Sequence, residues 1–451
     1  MPTQPINIIG AGLAGALLAI LLARRGLAVN VYEKRPDPRS SQADRGRSIN
    51  LALAARGMRA LEHAGVMGKA RSLLIPMRGR MLHELDGRTS LLLYGQREDE
   101  VIYSVGRAPL NLLLIEEAAR FPDVTLRFNH TCVAIDPERD ILRLRNTDSN
   151  SDYQVPLAPT IAADGGGSAV RRQLAAAGLL EEREELLDHD YKELTLPPVE
   201  GRHALDPGAL HIWPRGGFML IALPNPDLSF TATLFLPRQG IHSFASLDSP
   251  RAVLGFFLEQ FPDAAPLIPD LVAEFALHPQ GQLGTVHAIP WHVGGQVVLL
   301  GDAAHAIVPF HGQGMNAAFE DCTIVDKLLE SHDRWESLFA AFEELRRPHA
   351  AAIAQMALEN YIEMRDTVRE SDFARHKAVA LELERRFPDR FIPRYSMVMF
   401  HPEIPYGEAL RRGAVQAQIL EELDARPTGA GEPDFALAEK LVRERLSPLE
   451  R

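Results

Sequence analysis

A glycine-rich turn lies close to the start of the sequence. Residues 10–15 match the pattern G-x-G-x-x-G, and Glu33 follows at the end of the next apolar run. In such a turn Gly10 permits the tight bend, Gly12 lets a pyrophosphate approach the backbone and Gly15 lets a helix pack on a strand. A carboxylate such as Glu33 can accept a hydrogen bond from a ribose hydroxyl. The pattern predicts a dinucleotide site, although a plain turn in an ordinary α/β domain stays possible.

Two later segments also place polar or glycine residues directly after apolar runs. Asp164 follows residues 160–163 and directly precedes a run of three glycines, and Gly301-Asp302 follows residues 296–300. A carboxylate at the end of a strand can bind a polyol hydroxyl. The loop that ends at Gly314 precedes a helix, whose free N–H groups and positive dipole end suit anionic reduced flavin. Each segment alone could be a simple strand-to-helix turn, but the three in this order favour FAD over NAD.

Other polar residues have two possible interpretations. Arg78 and Arg80 alternate along a predicted strand and could form a solvated face. Asn360 and Met364 are four apart on a predicted helix, so they share a face that could line a pocket or only pack. The tyrosines Tyr94 and Tyr395 could equally belong to the core or to the rim of a site.

The hydropathy pattern predicts the elements that must position these residues. A strand, a helix to about Arg25 and a second strand form a βαβ unit over the first 35 residues. Helical spacing covers Ser48 to about Leu74, and Met77–Leu93 resembles a strand pair that turns at Asp86-Gly87. Short alternating runs over 190–300 predict an antiparallel sheet. The remaining predictions are helices from about Met315 to Arg386, a Pro-rich break over Phe387–Pro405, a helix over Glu408–Leu423, a linker at 426–433 and a short terminal helix.

Composition excludes several classes of protein. The chain has 451 residues, of which 46% are hydrophobic and 24% charged, so we expect a folded protein of two or three domains. A net charge of −12 disfavours nucleic-acid and anionic-membrane partners.

Cys132 and Cys322 cannot build a disulfide framework, which fits the cytoplasm. The apolar run Leu13–Ala23 is too short to span a bilayer. No carboxylate or thiol pattern joins His305 and His311, so we expect no metal.

Longer strings indicate a family. The sequence resembles the FAD-dependent aromatic hydroxylases of the para-hydroxybenzoate hydroxylase type, which carry G-x-G-x-x-G, a D-G segment and G-D-A-A-H in this order. It is most similar to the kynurenine-hydroxylating branch of that family, and the resemblance extends from residue 6 to about residue 400. The strings responsible are Arg45–Leu53, Pro76–Met81, Tyr191–Leu194, Pro309–Asn316 and Phe391–Val398.

The resemblance implies an α/β fold. We expect a Rossmann-like FAD-binding domain over 1–185 and 290–330, and an antiparallel-sheet substrate domain over 186–289 that includes the strand pair near 76–95. A C-terminal helical region over 331–451 would complete the substrate pocket between the sheet and the FAD-binding domain. Residues 401–451 are charged and contain no apolar anchor, so we expect no membrane association.

The resemblance also implies a set of ligand contacts. FAD would be bound tightly but not covalently by Gly10, Gly12, Leu13, Ala14, Gly15, Glu33, Lys34, Arg35, Ala52, Arg107, Cys132, Asp164, Asp302, Gly314, Met315 and Asn316. The amino-acid end of kynurenine would contact Arg80, Tyr94, Asn360 and Tyr395. The aromatic end would contact Ile221, Leu223, Phe235, Phe310, His311 and Met364. These residue types suit the task, because a guanidinium pairs with a carboxylate while phenol and amide groups complete its hydrogen bonds.

The implied reaction is hydroxylation of L-kynurenine to 3-hydroxy-L-kynurenine. In the family NADPH reduces FAD, O2 adds at flavin C4a, and the hydroperoxide transfers oxygen to the ring. The cofactor carries this chemistry, so no catalytic nucleophile is expected. The sequence has no second dinucleotide fingerprint, so NADPH would bind transiently. Hydroxylation of another amino- or hydroxy-substituted aromatic compound, or a non-catalytic flavin-binding regulatory role, stays possible, as do a monomer and a homodimer.

Overall fold

The computed structural model describes residues 4–40, 50–366, 371–425 and 433–449. The chain divides into two compact units. Unit 1 comprises Met1–Leu74, Ser104–Leu187 and Gln282–Ala354, and unit 2 comprises Ile75–Tyr103, Asp188–Gly281 and Gln355–Arg451. The three-part domain limits expected from the sequence remain a prediction.

Strands and helices are numbered separately in chain order. The strands are β1 (Ile6–Ile9), β2 (Val29–Tyr32), β3 (Asn50–Leu53), β4 (Leu74–Met77), β5 (Gly79–His83), β6 (Thr89–Leu93), β7 (Ile102–Gly106), β8 (Val124–Arg127), β9 (His130–Asp136), β10 (Ile141–Asn146), β11 (Ser151–Pro156), β12 (Thr160–Ala162), β13 (Glu181–Leu196), β14 (Ala209–Pro214), β15 (Met219–Pro224), β16 (Phe230–Pro237), β17 (Gln280–Ile289), β18 (His292–Val293) and β19 (Val297–Leu299). The α-helices are α1 (Leu13–Arg24), α2 (Ala55–His63), α3 (Met67–Ala70), α4 (Arg107–Ala118), α5 (Ala169–Ala176), α6 (Pro250–Gln260), α7 (Leu271–Leu277), α8 (Asp302–His305), α9 (Gly314–Leu328), α10 (Trp335–Arg365), α11 (Ser371–Arg386), α12 (Arg394–Phe400), α13 (Tyr406–Asp424) and α14 (Phe435–Arg445).

The main sheet of unit 1 carries the three glycine-containing segments. Its strands run in the order β18-β19-β12-β1-β2-β8, and β1, β12 and β19 are neighbours that pair in parallel. All three are short, mainly apolar and fully buried, as is typical of parallel strands covered on both faces. Their carboxyl ends therefore lie side by side. This arrangement brings together segments that are far apart in the sequence.

Helix α1 closes the βαβ unit predicted from the sequence. It begins at Leu13, directly after Gly12, and packs against α4 and α9. Its residues are buried over almost its whole length, which explains its apolar composition. The thiol of Cys322 on α9 donates to the Ala14 carbonyl at 3.3 Å. Cys132 and Cys322 are both buried and free, and a second, three-stranded sheet of order β11-β10-β9 contains Cys132.

The sheet of unit 2 is mostly antiparallel. Its strands run in the order β17-β13-β16-β15-β14-β5-β6, and β14 pairs with β5 in parallel. The β5-β6 hairpin turns at Asp86-Gly87 as predicted, and Gly87 has φ +85°. A core of aromatic and aliphatic residues, including Trp213 and Phe257, joins this sheet to α6 and α7. The alternating pattern over 190–300 predicted the strands but not these two helices.

Two predictions of secondary structure are wrong. Part of the helix predicted over Ser48–Leu74 is instead the strand β3, and the helices in this range are α2 and α3. The Pro-rich segment Phe387–Pro405, predicted as a break, contains α12, which begins directly after Pro393. Proline is compatible with that position because the first N–H groups of a helix have no partner within it. The predicted motif residues 45–49 and linker residues 426–432 lie outside the described residues.

The predicted C-terminal helical part is present. Helices α11, α13 and α14 share a hydrophobic core that includes Leu383, Ile419 and Val442. Within the described ranges, no helix combines the length and the apolar character needed to cross a membrane.

Candidate active site

The turn after β1 has little room for side chains at two of its glycines. Gly10 has φ +100°, and a Cβ there would lie 2.6 Å from the Ala163 carbonyl oxygen. A Cβ on Gly15 would lie 1.9 Å from the carbonyl oxygen of Gly10. A Cβ on Gly12, in contrast, would meet nothing within 4 Å. The turn is therefore closed on the side of Gly10 and Gly15 and open at Gly12, which fits the approach of a pyrophosphate.

Two side chains from other elements hold this turn in place. Glu33 Oε2 accepts from the Ala11 N–H at 2.7 Å, and Glu33 Oε1 accepts from the N–H of Arg35 at 3.0 Å. Burial alone would raise the pKa of Glu33, but hydrogen bonds and charge from Arg35 lower it overall. Asn111 on α4 donates to the Ala11 carbonyl at 2.9 Å. The sequence analysis missed Asn111, since no local pattern connects it with the turn.

Asp164, predicted to contact the cofactor, caps a helix. Its Oδ2 accepts from the Ala169 N–H at 2.8 Å, and its Oδ1 accepts from the Ser168 hydroxyl at 2.6 Å. Ser168 in turn accepts from the Arg171 N–H. Because these bonds satisfy free N–H groups at the start of α5, the carboxylate orders the segment after β12. A direct contact between Asp164 and the cofactor remains a prediction.

The third segment meets the first and the start of α9. Gly301 has φ +61°, and a Cβ there would lie 3.8 Å from the Cβ of Ala14. A Cβ on Gly314, the first residue of α9, would lie 3.9 Å from Asp302 Oδ1. A Cβ on Gly312 would lie 2.8 Å from the Cβ of Ala52. The structure therefore brings these predicted cofactor residues together around the carboxyl ends of the motif strands.

Asn316 ties three backbone segments to one another. Its Nδ2 donates to the carbonyls of Ala52 and Gly312 at 2.9 and 2.8 Å, and its Oδ1 accepts from the Ala54 N–H at 2.9 Å. The side chain is fully buried. With its amide used in this way, Asn316 positions the backbone of the site.

A buried ionic network lies beneath the Gly301 turn. Asp321 accepts from the Gly301 N–H at 3.1 Å, from His305 Nε2 at 2.7 Å and from Arg346 Nε at 2.6 Å. Burial alone would raise the pKa of Asp321, but His305 and Arg346 lower it overall. The Asp321 carboxylate therefore bonds to His305 and forms an ion pair with Arg346. The sequence analysis missed Asp321, and its only signal was an acid among small and apolar residues of α9.

The other predicted cofactor residues of unit 1 differ in exposure. Leu13 and Cys132 are buried, and burial raises the pKa of the Cys132 thiol to about 12, so this thiol is unreactive. Met315 is half-buried at the start of α9. Lys34, Arg35 and Arg107 are exposed, and Arg35 forms an ion pair with Glu33 at 2.9 Å.

A second group of polar residues lies in unit 2 around a buried arginine. Arg80 on β5 is 6% exposed, which excludes the solvated face considered for it, whereas Arg78 is exposed. The Arg80 guanidinium donates to Glu363 Oε1 at 3.0 Å and to Asn360 Oδ1 at 3.3 Å. It also lies over the ring of Tyr395, 4.8 Å from the centroid. Asn360 and Glu363 are neighbours on α10, so their spacing of three was a signal that could have identified Glu363.

Two buried polar atoms of this group have no hydrogen-bond partner among the described residues. They are Nε of Arg80 and the hydroxyl oxygen of Tyr94. The Tyr94 ring stacks on Tyr395 with centroids 5.6 Å apart. Burial raises the pKa of Tyr94 well above its usual value, so this phenol remains a neutral donor. Unpaired buried polar atoms are costly, and a ligand that bonds to them would remove the cost.

The predicted apolar contacts fall in both units. Ile221 and Leu223 lie two residues apart on β15, and Phe235 on β16 lies opposite Met219, so all three share one face. Met364 accepts a hydrogen bond from Asn360 Nδ2 at 3.2 Å. Phe310 and His311 are buried in unit 1. Their predicted contacts with a substrate remain predictions.

One cluster in unit 2 has side chains that could ligate a metal. Glu100, Glu384 and His401 offer ligand atoms within 4.8 Å of one another. Arg97 already donates to Glu100 Oε1 at 2.5 Å and lies 3.5 Å from Glu384 Oε1. This guanidinium pairs with both carboxylates but balances the charge of only one, and burial together with the charge of Glu100 raises the pKa of Glu384.

Comparison with known proteins agrees with this geometry. The model of the FAD binding domain family matches residues 3–225 and 280–357. A kynurenine 3-monooxygenase from Xanthomonas campestris pv. campestris (strain 8004) is 45% identical over 448 residues, which cover 99% of this chain and 98% of that protein. The chain belongs to the kynurenine 3-monooxygenase family. The enzyme of that name from Stenotrophomonas maltophilia (strain K279a) is also 45% identical, over 449 residues and 98% of its length.

Membership of this family makes the chain an FAD-dependent monooxygenase. The fold agrees with that of 2-methyl-3-hydroxypyridine-5-carboxylic acid oxygenase, with a TM-score of 0.65 at 21% identity over 81% of this chain and 94% of that one. The residues present fit FAD, because Gly12 is open and the carboxyl ends of β1, β12 and β19 lie side by side.

Proposed function

We propose that the enzyme hydroxylates L-kynurenine at ring carbon 3, with NADPH and O2 as co-substrates. The observation that carries the proposal is the buried Arg80 beside Tyr94, because the Nε of Arg80 and the hydroxyl oxygen of Tyr94 have no hydrogen-bond partner within the described ranges. The names of the relatives support the same substrate.

The residues around Arg80, namely Arg80, Tyr94, Asn360, Glu363 and Tyr395, are called the Arg80 group, and they have the chemistry to bind an amino acid. The guanidinium can pair with an α-carboxylate, and the Tyr94 hydroxyl can donate a further hydrogen bond to it. Glu363, which pairs with Arg80, is 30% exposed and can accept from an α-ammonium group. Burial raises the pKa of Tyr395 while the charge of Arg80 opposes this, so both phenols stay protonated at neutral pH.

The protein binds and orients, while bound FAD supplies the transfer of electrons from NADPH and the activation of O2. The apolar face of Ile221, Leu223 and Phe235 offers a surface for an aromatic ring and excludes water from it. The turn of residues 10–15, the segments that begin at Asp164 and Gly301, and the loop 312–314 form what we call the FAD cradle. The contacts of Asn316 and Asp321 hold the backbone of this cradle in place. We assign no proton transfer to a side chain.

The test measures NADPH oxidation by the purified holoenzyme in air, with and without L-kynurenine, followed by mass analysis of the product. We expect L-kynurenine to accelerate NADPH loss and to yield a product heavier by one oxygen atom. A panel of other amino- and hydroxy-substituted aromatic compounds is the control. If L-kynurenine gives no such product and a panel member does, the substrate assignment is wrong.

A further inference from the structure

A second cation lies beside the Arg80 group. Lys377 on α11 donates from Nζ to the carbonyl oxygen of Leu93 at 2.5 Å. Leu93 is the last residue of β6, pairs with Gly79 next to Arg80, and directly precedes Tyr94. The hydrogen bond therefore fixes the ammonium group at the strand end that carries two of the predicted substrate contacts. The sequence analysis did not single out Lys377.

Two charged side chains of the described residues, Arg80 and Glu363, act on Lys377. Burial and, to a smaller extent, the charge of Arg80 lower the pKa of Lys377 to about 8, and the charge of Glu363 opposes them in part. Among the described residues, the two cations Arg80 and Lys377 therefore interact with one carboxylate, Glu363, near the neutral phenols Tyr94 and Tyr395. Charged groups held against repulsion in this way are typical of sites that receive a ligand. A ligand that balances these charges has a negatively charged group.

We propose that Lys377 determines specificity by recognising, together with Arg80, the carboxylate of an amino-acid substrate. An ammonium group has three donors, of which the Leu93 carbonyl takes one, so two remain for a carboxylate. The proposal rests on the proposed function and adds a residue to it. The substrate class that it selects is an aromatic compound whose side chain ends in a carboxylate.

The experiment compares Lys377→Met, which keeps most of the stem and removes the charge, with Lys377→Arg, which keeps the charge. Lys440→Met on α14 is the matched control, because Lys440 is an exposed lysine of the same unit. Each holoenzyme is assayed with L-kynurenine and with its α-carboxamide. We expect Lys377→Met to raise the KM for L-kynurenine about tenfold, with kcat and flavin content little changed and the preference for the carboxylate reduced. Lys377→Arg, which keeps the charge, should have a KM for L-kynurenine close to that of the unaltered enzyme.

The pH profile separates this role from a merely structural one. In the unaltered enzyme Lys377 loses its proton as the pH rises through about 8, so kcat/KM should fall above that pH. The substrate's own amine titrates equally in all variants, so the part of the fall that disappears in Lys377→Met belongs to Lys377.

Three results would overturn the proposal. The first is that Lys377→Met keeps the KM and the fall of kcat/KM above about pH 8 that the unaltered enzyme shows. If the unaltered enzyme hydroxylates L-kynurenine in that case, the proposed function stands. The second is failure of the unaltered enzyme to hydroxylate L-kynurenine, which removes both. If Lys377→Met does not fold, Lys377→Gln is tested in its place. The third result is that Lys377→Gln keeps the preference of the unaltered enzyme for L-kynurenine over its α-carboxamide.

Discussion

The FAD cradle of unit 1 and the Arg80 group of unit 2 use their polar side chains in opposite ways. In the cradle, Glu33, Asp164 and Asn316 bond to backbone groups of their own unit. In the Arg80 group, Arg80 Nε and the Tyr94 hydroxyl are buried without partners in the described chain. The cradle is complete as a scaffold and presents backbone and open space, whereas the Arg80 group keeps hydrogen-bonding capacity for a ligand. Changes in the cradle should therefore alter folding and flavin content, and changes in the Arg80 group should alter KM.

The strongest test of this difference compares two glycines of one turn. Gly15→Ala should destabilise the fold by more than about 4 kcal/mol, because its Cβ would lie 1.9 Å from the Gly10 carbonyl oxygen. Gly12→Ala meets no protein atom within 4 Å and should fold normally. It should bind FAD at least about tenfold more weakly, since the Cβ fills the space for the pyrophosphate. Thermal unfolding of the apoprotein and flavin titration measure these effects, and normal FAD affinity in Gly12→Ala would contradict the pyrophosphate assignment.

A smaller loss of stability is expected for Asp321→Asn. The change removes the carboxylate from His305 and leaves Arg346 with Glu320 as its carboxylate partner, so it should cost about 3 kcal/mol. Flavin content should fall with stability, because Asp321 also accepts from the Gly301 N–H. Chemical denaturation of the apoprotein and the ratio of flavin to protein check this. The matched change Asp37→Asn affects an exposed ion pair of the same unit and should have little effect.

The Arg80 group should respond in KM alone. Arg80→Met should raise the KM for L-kynurenine about 100-fold, or about 3 kcal/mol of binding free energy, through loss of the charged hydrogen bonds. Flavin content should stay that of the unaltered enzyme. Steady-state kinetics and the flavin spectrum measure both, with exposed Arg78→Met as the control. An unchanged KM would refute the role of Arg80, and a loss of flavin would break the contrast between the two regions.

The smallest effect is expected for Tyr94→Phe. Removing this hydroxyl, which has no hydrogen-bond partner in the part of the chain that the structure describes, should leave stability unchanged or raise it. The KM for L-kynurenine should rise about fivefold, or about 1 kcal/mol. Tyr361→Phe on α10 is the comparison, since that tyrosine is not among the predicted substrate contacts. A fall in stability with no change in KM would show that the Tyr94 hydroxyl is structural.

The sequence predicted the parts of the site that depend on local patterns. Glycines after apolar runs identified the ends of β1, β12 and β19, because strand, turn and helix follow within a few residues. The sequence could not predict Asn111 or Asp321, whose bonds to Ala11 and Gly301 join separate elements. The strand β3 was missed because a short apolar run carries too few residues to distinguish the helical period from the strand period.

The pairing of β1 with β12 and of β12 with β19 has a consequence for how the enzyme is made. The three strand ends that form the cradle come from residues near 9, 162 and 299, so the cradle cannot exist until most of the chain has been synthesised. Contacts of such large sequence separation also form slowly in folding. Cofactor capture is therefore a late event, and a nascent chain in which β19 has not yet been synthesised lacks the means to retain FAD.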